Sequence, residues 1–237
     1  MNPHVIVFSP VMPVWDEGAF CSPLQKLFLE KGFHVTSLDT VSLFSGSSVA
    51  EAIPLIIEKI KSRFQGPLVL VGFSMAGTLV QILAARLPDI RAVLAVSAPS
   101  YPDAFLRRRL EHLLTLLKNG DLSGALEALN ILVQPLGKTE KIIQRKIPDE
   151  QKNMAIERMQ RGFRLLLKMD ARSEIIKYAG RFLALVGEKS QLATINNQIQ
   201  SHCLNHEYKV IFGAGMLPWN DNPVMMYAII HEWINRI

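Results

Sequence analysis

Only two cysteines, Cys21 and Cys203, occur in the 237 residues. They fall in different elements and form no C-x-x-C or metal spacing, so two free thiols in a reducing, cytoplasmic setting are expected. No uninterrupted apolar stretch approaches the ~18 residues of a membrane span. The chain runs straight into a strand-like segment, His4–Phe8, without a basic segment and small-residue cleavage site, so no secretory leader is expected. P-loop and Rossmann glycine fingerprints are missing. Metal spacing is as thin: His202 and His206 stand four apart with only Glu207 as a neighbouring acid. Neither a cofactor nor a metal is expected. No low-complexity tract appears, and 49% hydrophobic against 20% charged residues is the composition of a folded domain with a substantial core.

The charge is unevenly spread. Residues 103–178 hold 15 of the 26 Lys/Arg but 10 of the 21 Asp/Glu, so the whole net charge of +5 falls in this middle segment. A basic surface there favours an acidic partner or substrate. Interleaved acids and few aromatics argue against nucleic acid.

Short apolar runs alternate with helical patterns. The spacing predicts strands at Val5–Ser9, His34–Leu38, Leu68–Phe73, Ala92–Ser97, Phe182–Val186 and Tyr208–Phe212. Helices are expected at Ser22–Lys31, Ser48–Phe64, Gly77–Arg86, Gln191–Ser201 and Pro223–Ile237. Such alternation implies an α/β class: a mainly parallel sheet with helices on both faces. From Asp103 to Tyr178 the pattern is helical only. Leu106, Leu110, Leu113, Leu114 and Leu117 keep one stripe, and Ala125–Val133 and Asn153–Met169 follow. Residues 1–102 and 179–237 therefore read as a core, and 103–178 as a helical cap inserted over the carboxyl ends of the strands, where α/β sites lie.

Pro67 to Gly77 read PLVLVGFSMAG, a β-branched apolar run that ends on a serine between small residues. Strand, sharp turn and helix in that order are the context of a nucleophile elbow, G-x-S-x-G. Gly72, Ala76 and Gly77 let the backbone bend, Ser74 sits at the tip, and the N–H of Met75 faces any oxyanion formed on an attacked carbonyl. Phe73 and Trp15 are expected beside Ser74 in the cleft. Arg107, Arg108 and Arg109 form a basic cluster able to anchor a phosphate or carboxylate.

The order of elements, the elbow and the cap resemble the α/β-hydrolase superfamily over nearly the whole chain. Within it, the nearest likeness is to small esterases with a four-helix cap, of the pimeloyl-carrier-protein methyl ester esterase kind. The matching stretches are Gly72–Pro102, Met169–Ser190 and Gly213–Pro223. The resemblance implies a serine, an acid and a histidine in that chain order. Ser74 falls on the serine. The acid's G-x-x-D turn reads Gly187-Glu188-Lys189-Ser190, and the histidine's G-x-G-H reads Gly213-Ala214-Gly215-Met216. Ser9-Pro10 replace the His-Gly pair of the oxyanion loop, whose backbone donor is then Val11, and Ala76 replaces the elbow's last glycine. The triad positions Ser190 and Met216 are thus vacated, and a thioether takes no proton from a serine hydroxyl near neutral pH.

Chain geometry leaves little to substitute. His4 and His34 start strands and His202 and His206 precede the last one, all at the far end of the sheet. His231 lies ~12 Å along a helix that leaves the active face. Only His112, in the first cap helix, can hang over the site as a base. Glu188 and Asp221 are nearby acids with no base to orient. Two functions follow. One is a degenerate, weakly hydrolytic or non-hydrolytic protein that binds a small acyl ester or thioester, docking an acidic carrier protein on the basic cap. The other is an active serine esterase or thioesterase using Ser74 with a base from His112, a partner or the substrate.

Overall fold

The computed structural model describes residues 3–44, 48–138 and 147–237. Six strands form one parallel sheet in the order β2-β1-β3-β4-β5-β6. The strands are β1 (His4–Phe8), β2 (His34–Leu38), β3 (Leu68–Phe73), β4 (Ile90–Val96), β5 (Arg181–Gly187) and β6 (His206–Ile211). β3 is buried along its whole length, as a central parallel strand covered on both faces must be. The helices between the first four strands are α1 (Ser22–Leu29), α2 (Thr40–Leu43), α3 (Val49–Arg63) and α4 (Met75–Ala84). Those between β4 and β5 are α5 (Ala104–Lys118), α6 (Leu122–Val133), α7 (Lys152–Leu166) and α8 (Arg172–Ile175). After β6 come α9 (Pro218–Asp221) and α10 (Pro223–Ile234). Helices cover both faces of the sheet, as the alternation of patterns predicts.

The crossovers explain where a site must form. From β1 the chain steps outward to β2, returns past β1 to β3, and then moves only toward β6. With right-handed crossovers, the one outward step puts α1 on the opposite face from α3 and α4. The reversal of direction lies between the neighbours β1 and β3, and ligands of open α/β sheets bind beyond the carboxyl ends of strands at such a point. The register brings the other loops to the same edge: Phe8 pairs with Gly72, Phe73 with Val96, Val96 with Leu185, and Gly187 with Ile211.

Local chemistry sets several helix starts. Ser48 and Glu51 form a reciprocal capping box at α3, Asp103 accepts from Leu106 N (2.8 Å) at α5, and Asp121 accepts from Gly124 N (2.8 Å) at α6. One expected helix does not form. Gln191–Ser201 is irregular apart from a single 3-10 turn at Ile195–Asn197. Its polar side chains bond the backbone instead: Asn197 donates to Leu192 O (2.9 Å) and accepts from Thr194 N (2.9 Å). The segment is tied further to the loop after β4 by Ser100 N to Asn197 O (2.7 Å) and Ile199 N to Ser100 Oγ (3.0 Å). The last strand starts at His206, two residues earlier than its apolar pattern suggests. Residues 139–146 of the 103–178 stretch lie outside the described residues, as do residues 1, 2 and 45–47. No helix among the described residues is long and apolar enough to cross a membrane.

Candidate active site

Ser74 sits between β3 and α4 with φ 56° and ψ −125°, a conformation that costs a non-glycine residue about 1–3 kcal/mol. The small neighbours are sterically required. A Cβ on Gly72 would lie 2.4 Å from Ala76 O, and one on Gly77 would lie 2.2 Å from the Cβ of Ala98. Ala76 itself is fully buried, so its methyl is accommodated where the elbow pattern has glycine. Ser74 N donates to Val96 O (3.0 Å), and Ser74 O accepts from Gly77 N (2.9 Å), which fixes the tip to β4 and to the first turn of α4. The hydroxyl has no hydrogen-bond partner among the described residues.

Ser74 opens into a cavity of about 390 Å³, within the size range of small-molecule sites. Its floor comes from the strand-end loops, with Val11, Phe73, Ser74 and Met216. Its roof comes from α5, α6 and α7, with Leu106, Leu110, Leu129 and Phe163. Met75 opens α4 directly after Ser74, and Val11, in the loop after β1, lines the same cavity as the serine. Neither backbone N–H donates to another backbone carbonyl among the described residues, so both are free to meet an oxyanion.

Ser190 and Met216 come together. Ser190 Oγ donates to Met216 Sδ at 3.1 Å, and Ala193 N approaches the same sulfur at 3.5 Å. Met216 is 2% exposed and lines the cavity that holds Ser74. The turns that carry the pair are joined by Lys189 N to Ala214 O (2.8 Å), and Met216 N donates to Val133 O at the end of α6 (2.9 Å). Both nearby acids are engaged in the same turn: Glu188 accepts from Gly213 N and Asp221 from Gly215 N, each at 2.9 Å.

Other predicted residues fall elsewhere. His112 is exposed on α5, two residues past the cavity-lining Leu110 and hence about 200° around the helix, so it does not overhang Ser74. None of the six histidines lines the cavity. Arg107 and Arg108 are exposed on α5 and also off the cavity, while Arg109 lies over the Phe105 ring at 3.7 Å. Trp15 is half-buried and is not part of the cavity wall. The aromatic partners of Phe73 are Phe20 (5.4 Å) and Trp219 (4.9 Å), of which Phe20 also lines the cavity.

Sequence reading missed a contact between α7 and the loop after β1. Arg158 Nε donates to Met12 O (2.8 Å), and its Nη1 donates to Asp39 Oδ2 (2.8 Å), at the end of β2. Burial pushes the Asp39 carboxyl up, but donation from Arg158 and Ser42 outweighs it and holds the group below the usual carboxylate range. One turn further along α7, Gly162 admits Val11: a Cβ there would lie 2.4 Å from Val11 Cγ2. The sequence signal was available only in part, as a glycine inside an otherwise helical pattern.

The parallel sheet, the elbow at the topological reversal and the roofed cavity define an α/β-hydrolase fold. Solved structures agree. The chain matches a bromoperoxidase from Bacillus anthracis with a TM-score of 0.76 at 14% identity, over 99% of this chain and 92% of that one. It matches MGS-M2, an alpha/beta hydrolase enzyme from a Medee basin deep-sea metagenome library, with a TM-score of 0.74 at 13% identity, over 99% and 90%. A lipase-esterase related protein from Clostridium acetobutylicum follows at 0.68 and 18%, over 99% and 94%. No family profile and no curated protein sequence matches the chain.

Proposed function

We propose that this chain keeps an α/β-hydrolase pocket in order to hold an apolar acyl ester or thioester, and hydrolyses it weakly or not at all. The observation that carries this reading is Met216. It lines the cavity beside Ser74 with its sulfur bonded by Ser190, at the two positions where the resemblance expects histidine and acid. A thioether and a hydroxyl supply neither a proton acceptor nor a negative charge near neutral pH. Loss of triad members costs ~10⁴–10⁶ in turnover, leaving only what oxyanion donors and binding provide. The apolar wall supports an acyl chain as ligand, and the likeness to capped methyl ester esterases supports one carried by an acidic protein in the cytoplasm.

A second reading, an active serine esterase or thioesterase whose base comes from ligand or partner, is favoured by the elbow itself. The strained Ser74 conformation, the unbonded hydroxyl and the free N–H groups of Val11 and Met75 are the parts a nucleophile needs. Labelling with a fluorophosphonate probe decides between the two. We expect no Ser74-dependent labelling of the folded protein. Labelling that disappears in Ser74→Ala would establish an activated nucleophile and overturn the first reading.

A further inference from the structure

The cavity-facing stripe of α6 runs Leu126, Leu129, Asn130, Val133, an i, i+3, i+4, i+7 spacing of half-buried residues with one polar member. Among the described lining residues, Asn130 and Ser74 alone carry an amide or hydroxyl side chain; the rest are aliphatic, aromatic, proline or thioether groups. The backbone carbonyl of Asn130 accepts from Gln134 Nε2 at 3.2 Å, but the side-chain amide has no partner among the described residues. Asn130 is half-buried, and its amide, with two donors and an acceptor oxygen, is open to a ligand group that enters the cavity.

We propose that Asn130 is a specificity-determining residue that hydrogen-bonds one neutral oxygen in the body of the ligand, so that the pocket takes an oxygenated acyl chain (keto, hydroxy or ester) in preference to a plain hydrocarbon one. The inference rests on the acyl-binding reading above. It deepens that reading because the second polar contact lies on the roof, apart from the Ser74 floor. Neutrality follows from the wall: no charged side chain among the described residues lines the cavity, so a carboxylate there would lose its hydration without gaining a cation.

Calorimetric titration tests this with methyl decanoate, the mono-keto methyl decanoates with the keto group walked along the chain, and monomethyl decanedioate. Any turnover would register as steady heat after each injection. For the wild-type chain we expect one keto isomer to bind about tenfold tighter than methyl decanoate, the size of one net hydrogen bond, and the acid-tailed ligand to bind weakest. In Asn130→Leu the keto preference should vanish while methyl decanoate binds as well or better, and Asn130→Ala should lose the preference too. The proposal is overturned if wild type favours no keto isomer, if the preference survives both substitutions, or if the acid-tailed ligand binds best. Failure of folded wild type to bind any of these ligands would instead remove the acyl-binding reading and this inference with it.

Discussion

Ser190 and Met216 face each other at 3.1 Å as a hydroxyl donor and a soft sulfur acceptor, and neither exchanges a proton near neutral pH. On the proposed reading, the pocket lacks two side chains rather than a scaffold. Met216→His combined with Ser190→Asp should therefore create what is missing: an imidazole on the cavity wall and a carboxylate to orient it. We expect the double variant to hydrolyse short p-nitrophenyl esters about 10²–10⁴-fold faster than the parent, with Met216→His alone gaining less. Adding Ser74→Ala should abolish the gain. A folded double variant with no Ser74-dependent turnover would mean that these positions do not stand in triad geometry to the serine. At this scale the sequence was informative about where Ser74, Val11, Ser190 and Met216 lie, because turns at strand ends keep their residues in register with the strands. It was uninformative about Asn130, a single polar residue on a helix stripe, whose surroundings depend on how α6 lies over the sheet.

α7 joins the roof to the floor through two contacts, the Arg158 guanidinium and the gap left by Gly162. The Arg158 and Asp39 side chains are only 13% and 14% exposed, so the pair is better shielded from solvent than a surface ion pair. Arg158→Met should cost about 1–2 kcal/mol, read as a drop in Tm of several degrees near neutral pH. Because the folded-state carboxyl of Asp39 titrates below its ordinary value, its contribution is present above that ordinary value. It is lost as pH falls through the lower, folded-state value. The Tm difference should therefore narrow in acid, and a difference that stayed constant down to pH 2 would show that the ion pair is not its source. The 191–201 segment teaches the converse lesson about elements. Its helical spacing was real, but Asn197, Thr194 and Ser100 satisfy its backbone through side chains, and burial of Leu192 and Ala193 against the site outweighed helix propensity.

For the whole molecule, the excess of positive charge sits on the segment that also roofs the cavity. Arg107 and Arg108 are exposed on α5 and take no part in the cavity wall. On the proposed reading, they are where an acidic carrier protein would dock. Arg107→Glu should weaken binding of an acidic acyl-carrier protein about three- to tenfold and flatten its salt dependence, with ligand affinity in the pocket unchanged. Unaltered carrier affinity would remove that partner from the proposal.

By itself, the sequence determined the alternation of strands and helices, the parallel sheet, the helical stretch after β4 and the position of the elbow. Each of these is written in local periodicity and turn chemistry. Tertiary structure decided what the periodicity does not encode. It set which face of α5 meets the cavity, placing Leu110 on the wall and His112 in solvent, and gave Phe73 the partners Phe20 and Trp219 rather than Trp15. It also let Arg158 reach from α7 to Met12 and Asp39 across more than a hundred residues of chain. Those outcomes depend on the angle and depth at which helices pack on the sheet, which long-range burial selects and no short stretch of residues carries.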